Sequence, residues 1–395
     1  MFKSNKRLID IVIVVFISTF IGMLSGAVVM YTIDHKNEKT SSYLEVSKIK
    51  EIDDMYNTIV NDYYDDVDKD KLIEGAVSGM LSVLDTHTSY MNKSATTSFN
   101  NKMNGEYYGV GLEVLTLNDT GILVVNVIKD SPAFNAGIKA NDIIIKVNDE
   151  SLKDKEASYF SSLVSKTKDE MKLVVLRGER ELNFSVSPEK VIIPSVFTNN
   201  FTVEGKKIGY IKISVFAANT ASQFAEKLTM LEENGIDALV IDVRDNSGGY
   251  LSNATTILEM FMNKGDILYS TESKAATLDR KDDTEDHRDY KVAILVNSAS
   301  ASASEVLAAC FMENKNSEIV GNTTYGKGTV QETIDVLDGS KAKITTKKWL
   351  TPNGNWINGK GIEPTIKVNI SDKYLKNSTY DNDNQLEAAI KSLVK

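Results

Sequence analysis

Apolar positions along this chain fall into four successive patterns, and each predicts a different kind of element. Residues 11–33 form a run of 23 without a charge, and a helix needs about 20 to cross a bilayer. Between residues 47 and 84 the spacing becomes helical: Ile49, Ile52, Met55 and Ile59, then Leu72, Ile73, Ala76, Met80, Leu81 and Leu84. Asp65-Asp66-Val67-Asp68 interrupts it, so two helices and a turn are expected. Between residues 105 and 187 the runs are short. Strands are expected at 110–114, 121–128, 142–147, 171–177 and 182–186, with one helix at 157–164. From Ile208 strands and helices alternate, with strands at 208–215, 238–243 and 292–296 and helices at 221–231 and 306–312. That alternation predicts an α/β layer. A strand at 344–350 and a helix at 384–394 close the chain.

Charge adds an orientation to this outline. Lys3, Lys6 and Arg7 precede the long apolar run, so the positive-inside rule keeps the N-terminus cytoplasmic and sends everything after about residue 34 outward. The run exceeds the usual 7–15-residue signal core and no A-x-A site follows it, which favours an uncleaved membrane anchor. Polar residues 36–46 read as a stalk. The formal charge of -10 argues against a nucleic-acid partner. A single cysteine, Cys310, allows no internal disulfide and no cysteine-built zinc site. The three histidines (His35, His87, His287) are scattered, and no metal or cofactor is expected. The charged stretch 273–291 reads as a solvated loop, a mobile flap. Asp85-Thr86-His87-Thr88 reads as a helix-ending turn, because Asp and Thr satisfy free backbone groups there.

Three stretches carry candidate chemistry. Asn297 to Glu305 runs from a buried strand through alternating Ser and Ala into a helix, a place where backbone N–H groups and a hydroxyl meet. Three of its four serine hydroxyls, those of Ser300, Ser302 and Ser304, compete for a nucleophile's role, and composition does not choose among them. Gly248-Gly249 follows a strand, so its N–H groups could join an oxyanion hole. Gly321 to Lys327 matches G-x-x-x-x-G-K, but Gly328 stands where a P-loop needs Ser or Thr, which argues against a nucleotide site. A lysine between glycines is instead a candidate base, if burial lowers it far enough to lose its proton. Gln331, four positions on, is an uncharged residue able to orient that amine, since a strand puts 327, 329 and 331 on one face.

Two resemblances follow from these residues. Gly109-Val110-Gly111-Leu112 and the phrase Ser131-Pro132-Ala133-Phe134-Asn135-Ala136-Gly137-Ile138 resemble a PDZ domain, whose loop N–H groups hold a peptide carboxylate while a strand edge pairs with the peptide. Across about 56–368 the chain resembles the C-terminal processing peptidases. The matching phrases are Gly75 to Met80, Leu84-Asp85, Asp242 to Gly249, Ser300 to Glu305, Tyr325 to Gln331 and Gly361 to Pro364. This resemblance implies a serine–lysine protease with Ser302, 25 positions before the lysine, as nucleophile, Lys327 as general base and Gln331 orienting the lysine. It also implies an oxyanion hole from the N–H of Ala303 and one of the glycine pair, Gly249 being favoured, and a peptide loop at Gly109, Val110, Gly111 and Leu112.

The expected fold is therefore α/β with a PDZ domain inserted before the protease core: anchor 1–34, stalk and helices 35–95, PDZ 96–190, and core with a C-terminal strand and helix 191–395. Expected partners are unfolded or C-terminally exposed proteins, the membrane through one span, and a second copy of the chain through its helices. Arg177, at the end of a PDZ strand, is either a link to the catalytic core or an exposed hairpin charge. The competing function is an inactive, membrane-anchored PDZ adaptor.

Overall fold

The computed structural model describes residues 48–336 and 339–395. The span expected at 11–33 and the stalk at 36–46 lie outside the described residues. Among the described residues, no helix is long and apolar enough to cross a membrane.

The chain divides after Val83 into two compact units. The first holds helices at residues 48–62 and Lys69–Ser82. Asp68 ends the expected break by capping the second helix, accepting from the Lys71 N–H at 3.1 Å. Ile49, Ile52 and Met55 remain exposed within this unit.

The second unit is built on a six-stranded sheet. Val196–Val203 pairs antiparallel with Lys206–Ile213, and the order continues in parallel through Ala238–Asp242, Lys291–Val296, Glu318–Gly321 and Ile366–Lys367. Side chains alternate between faces, so the central strands bury both. Leu239, Ile241 and Ile294 pack with helices Thr220–Glu233, Leu251–Glu259 and Ala303–Lys315, in a core that includes Phe224, Phe261 and Phe311. Tyr210, Val240, Ala293 and Leu295 face the closing helix Asn384–Val394 through Leu386, Ala389 and Leu393. A buried ion cluster locks that helix in place. Arg244 lies 2.6 Å from Asp242 and 2.7 Å from Asp383, the residue that caps the helix.

A second sheet runs Ser89–Met91, Lys341–Leu350, Ile267–Glu272, Thr277–Lys281, with Thr329–Asp335 also paired to Lys341–Leu350. Two features of it differ from the expectation. Ser89–Met91 joins this sheet rather than the helical segment before it. The charged stretch read as a loop contains the strand Thr277–Lys281, antiparallel to Ile267–Glu272. Its charges have partners: Asp279 accepts from the Ser270 hydroxyl at 2.8 Å, and Arg280 pairs with Glu259. An edge strand tolerates that charge density because one side faces water.

The inserted domain is a six-stranded antiparallel sheet running from Leu112–Leu117 to Arg180–Val186, with Glu150–Ser151 paired to Ile143–Val147 and the helix Ala157–Lys166 packed on it. Its entry, Glu106–Gly109, and its exit, Glu189–Ile192, pair side by side. Arg177 stays inside this domain. Its guanidinium holds the buried Asp142 carboxylate at 2.7 Å and donates to the Gly137 carbonyl at 2.8 Å.

Candidate active site

The parallel strands Ala238–Asp242 and Lys291–Val296 are neighbours, and the residues that follow their carboxyl ends meet. In open α/β sheets that edge is where sites assemble. The chain leaves Val296, turns through residues 297–301 and enters the helix at Ala303. Ser302 immediately precedes the helix with φ of 56°, a left-handed conformation costing ~1–3 kcal/mol in a non-glycine residue. The sharp turn sets it at the helix N-terminus, where partial positive charge collects.

The three competing hydroxyls are now distinguishable. Ser300 is fully buried and donates to the Val243 carbonyl at 2.7 Å. Ser304 is fully buried and donates to the Asn246 carbonyl at 2.9 Å. Ser302 is half-buried, and its hydroxyl donates to no group among the described residues. The first two build the turn and leave Ser302 available.

Glu305, a residue to which the sequence assigned no role, joins the serine to the lysine. It is fully buried, one turn into the helix. Its Oε2 accepts from the Ser302 N–H at 2.8 Å and from the Lys327 N–H at 2.8 Å. Its Oε1 accepts from the Thr324 hydroxyl and the Gly326 N–H, each at 2.6 Å. Two main chains thus converge on one oxygen, and their nitrogens lie no farther apart than two hydrogen bonds. The signal was present in the sequence, since S-x-x-E at 302–305 is the capping-box pattern.

Lys327 sits as crowded as its flanking glycines imply. A Cβ at Gly326, whose φ is 87°, would come within 2.9 Å of the Gly361 nitrogen, and one at Gly328 within 2.7 Å of Trp356 Nε1. The Lys327 carbonyl accepts from Trp349 Nε1 at 2.8 Å, so its main chain is held on both sides. Burial holds the Lys327 amine below the usual lysine range, and the nearby Lys343 cation adds to this, while Glu305 and Asp85 pull the other way. The same surroundings act on His87, which burial and the Lys327 charge keep below the usual histidine value.

Gln331 lies nearby but makes no hydrogen bond to Lys327 in this structure. Its Nε2 donates to Thr329 Oγ1 at 2.8 Å and to Thr345 Oγ1 at 3.2 Å. The strand begins at Thr329, and its register shifts between Val330 and Gln331. The simple alternation expected for 327, 329 and 331 therefore stops short of the lysine.

The glycine pair abuts the serine. A Cβ at Gly248 would lie 2.9 Å from Ser302 Cβ and 3.1 Å from the Ala303 nitrogen. The Gly248 N–H is engaged by Asn246 Oδ1 at 2.9 Å, whereas those of Gly249 and Ala303 have no hydrogen-bond partner among the described residues. Two free donors beside a helix N-terminus form a ready site for developing negative charge.

At the inserted domain, a groove of about 520 Å³ lies between two helices. Gly109, Val110 and Leu112 line it, together with Ser158, Ser161 and Ser165 of Ala157–Lys166. Thr97, Ser98 and Asn101, on one face of the helix Lys93–Asn104, line it as well. Gly111, in the same loop, has φ of 85°. That second helix is tied to the core, for the Ala218 N–H donates to the Met103 carbonyl at 2.7 Å.

Comparison with known proteins agrees with this architecture. Residues 207–368 match the model of Peptidase family S41, residues 107–187 that of a PDZ domain, and residues 17–95 that of the N-terminal domain of the activating protease CtpB. The carboxy-terminal processing protease CtpB of Bacillus subtilis (strain 168) is 39% identical over 328 residues, covering 82% of this chain and 68% of the relative. CtpA of the same organism is 35% identical over 330 residues, covering 82% and 70%. A solved S41 protease structure from Bacteroides fragilis NCTC 9343 superimposes with a TM-score of 0.52 at 17% identity, over 84% of this chain and 91% of that one, and so shares its fold. The chain belongs to peptidase family S41, as a serine-type carboxy-terminal processing protease carrying a PDZ domain.

Proposed function

We propose that this protease uses Ser302 as nucleophile and Lys327 as general base, on protein chains captured by their C-termini in the PDZ groove. The observation that carries the pairing is the single Glu305 oxygen on which the Ser302 and Lys327 main chains meet. The neutral Lys327 amine takes the Ser302 proton as Oγ adds to the scissile carbonyl. The Gly249 and Ala303 N–H groups receive the oxyanion. The ammonium then returns its proton to the leaving amine, and an acyl-enzyme forms. Water, activated by the same lysine, hydrolyses it. Gln331 orients the amine without adding a charge that would raise its pKa. At the groove, the Gly109–Leu112 loop holds the terminal carboxylate over an apolar floor, and the strand Leu112–Leu117 pairs with the peptide.

Residues 11–33 anchor this machinery in the membrane, with the N-terminus cytoplasmic and the catalytic part outside. The exposed Ile49, Ile52 and Met55 give a second copy an apolar surface to pack on.

The test is cleavage of an unfolded protein by the purified chain. Ser302→Ala and Lys327→Ala should each lower turnover by ~10³-fold or more, with circular dichroism unchanged. Retained cleavage in both variants would refute the pairing. A wild-type chain that bound C-terminal peptides but cleaved nothing would make it an adaptor.

A further inference from the structure

Beyond the catalytic pair, a line of hydrogen bonds runs from Gln331 to the turn at Asp85, 246 positions earlier in the sequence. Gln331 Nε2 donates to Thr329 Oγ1 at 2.8 Å and to Thr345 Oγ1 at 3.2 Å. The Thr345 and Thr88 hydroxyl oxygens lie 3.5 Å apart, and the Thr345 N–H donates to Thr88 Oγ1 at 3.2 Å. The Thr88 hydroxyl donates to Asp85 Oδ2 at 3.0 Å. Asp85 Oδ1 accepts from the N–H groups of His87, at 2.8 Å, and Thr88, at 3.1 Å.

The carboxylate fixes the sense of this line. An ionised Asp85 only accepts, so Thr88 gives it its hydroxyl proton. The proton shared between the threonines is then that of Thr345, whose remaining lone pair faces Gln331. A carboxamide meeting acceptors presents its NH2 group. Both of its N–H bonds are used on threonines, which leaves Oε1 as an acceptor without a partner among the described residues. An acceptor is what an amine needs for orientation, because Lys327 has only donors when charged and keeps two when neutral. Asp85 is suited to the part. Burial pushes its carboxyl up, but hydrogen bonds, led by those from the His87 N–H and the Thr88 hydroxyl, more than offset this and hold it below the usual carboxylate range.

We propose that Thr345, Thr88 and Asp85 are positioning residues that set the rotamer and amide sense of Gln331, so that its Oε1 faces the Lys327 amine. This rests on the serine–lysine reading above and extends it to a turn outside the catalytic loops. The strand Ser89–Met91, paired with Lys341–Leu350, holds that turn against the site.

The test is a double-mutant cycle in the full chain, with kcat and KM measured on a fluorescent unfolded-protein substrate. Thr345→Val keeps the shape and removes the hydroxyl. It should lower kcat roughly three- to tenfold, the range for one neutral hydrogen bond, with KM unchanged. Thr345→Ser should restore the rate. In a Gln331→Ala background, Thr345→Val should cost nothing further, because the residue it acts through is gone. Thr88→Val should behave the same way. Losses that multiply in the double variant, or a Thr345→Val enzyme with wild-type kcat, would overturn the proposal. Its failure is separable from that of the serine–lysine reading, which depends on Ser302→Ala and Lys327→Ala alone.

Discussion

At the scale of single residues, the site works by environment more than by composition. Lys327 is buried between two closely packed glycines, and the charge of a second lysine, Lys343, acts on its amine. A like charge disfavours the protonated amine, so removing it should raise the Lys327 pKa. A higher pKa leaves less neutral base at a given pH. Lys343→Met should therefore move the acid limb of the pH–kcat/KM profile to higher pH, and an unmoved limb would remove Lys343 from the account. Legibility in the sequence divides along the same line. The Ser and Lys types and their glycine contexts were visible. The choice of Ser302 over its neighbours needed the family resemblance, because burial and hydroxyl partners separate these serines and neither is written in a run of alternating Ser and Ala. Glu305 showed its pattern without showing its second oxygen's partners, 19 and 21 positions away.

At the scale of elements, two devices hold the catalytic turns. The first is the Arg244 cluster, which clamps the closing helix against the sheet beside the glycine loop. Asp383→Ala removes that helix's cap and one of two carboxylates from a buried guanidinium. It should destabilise the fold by about 3–5 kcal/mol in chemical denaturation. A loss below ~1 kcal/mol, the level of a surface pair, would mean the cluster is dispensable. The second is the close approach of Gly248 to the serine. At its φ of 102°, Gly248→Ala would press a methyl group 2.9 Å from Ser302 Cβ. Displacing the serine should lower kcat about 10²-fold while KM changes little. Equal turnover by this variant would show that the loop yields. Element types were largely readable from periodicity, including the break at Asp65–Asp68. The charged stretch was misread because its strand, Thr277–Lys281, owes its place to a neighbour's edge rather than to apolar alternation.

At the scale of the whole molecule, capture and cleavage are assigned to different domains, and this separation has a kinetic signature. On the proposed reading, a substrate whose C-terminal carboxylate is amidated would lose its charged contact to the Gly109–Leu112 loop. Its KM should rise about tenfold or more with kcat held, since capture is distant from the reacting bond. An unchanged KM would detach the groove from substrate recognition. A separate domain ahead of the α/β core was legible because periodicity changes twice, near 105 and near 208. The seam was not, since the pairing of Glu106–Gly109 with Glu189–Ile192 joins segments some eighty residues apart. In the proposed mechanism a lysine gives up its proton to activate one serine. The most direct measurement is the rate at which a fluorophosphonate labels Ser302 in the intact protein, followed against pH. Labelling should rise with an apparent pKa below the ~10.4 of a free lysine and should vanish in Lys327→Met. Labelling of undiminished rate in Lys327→Met would contradict the account.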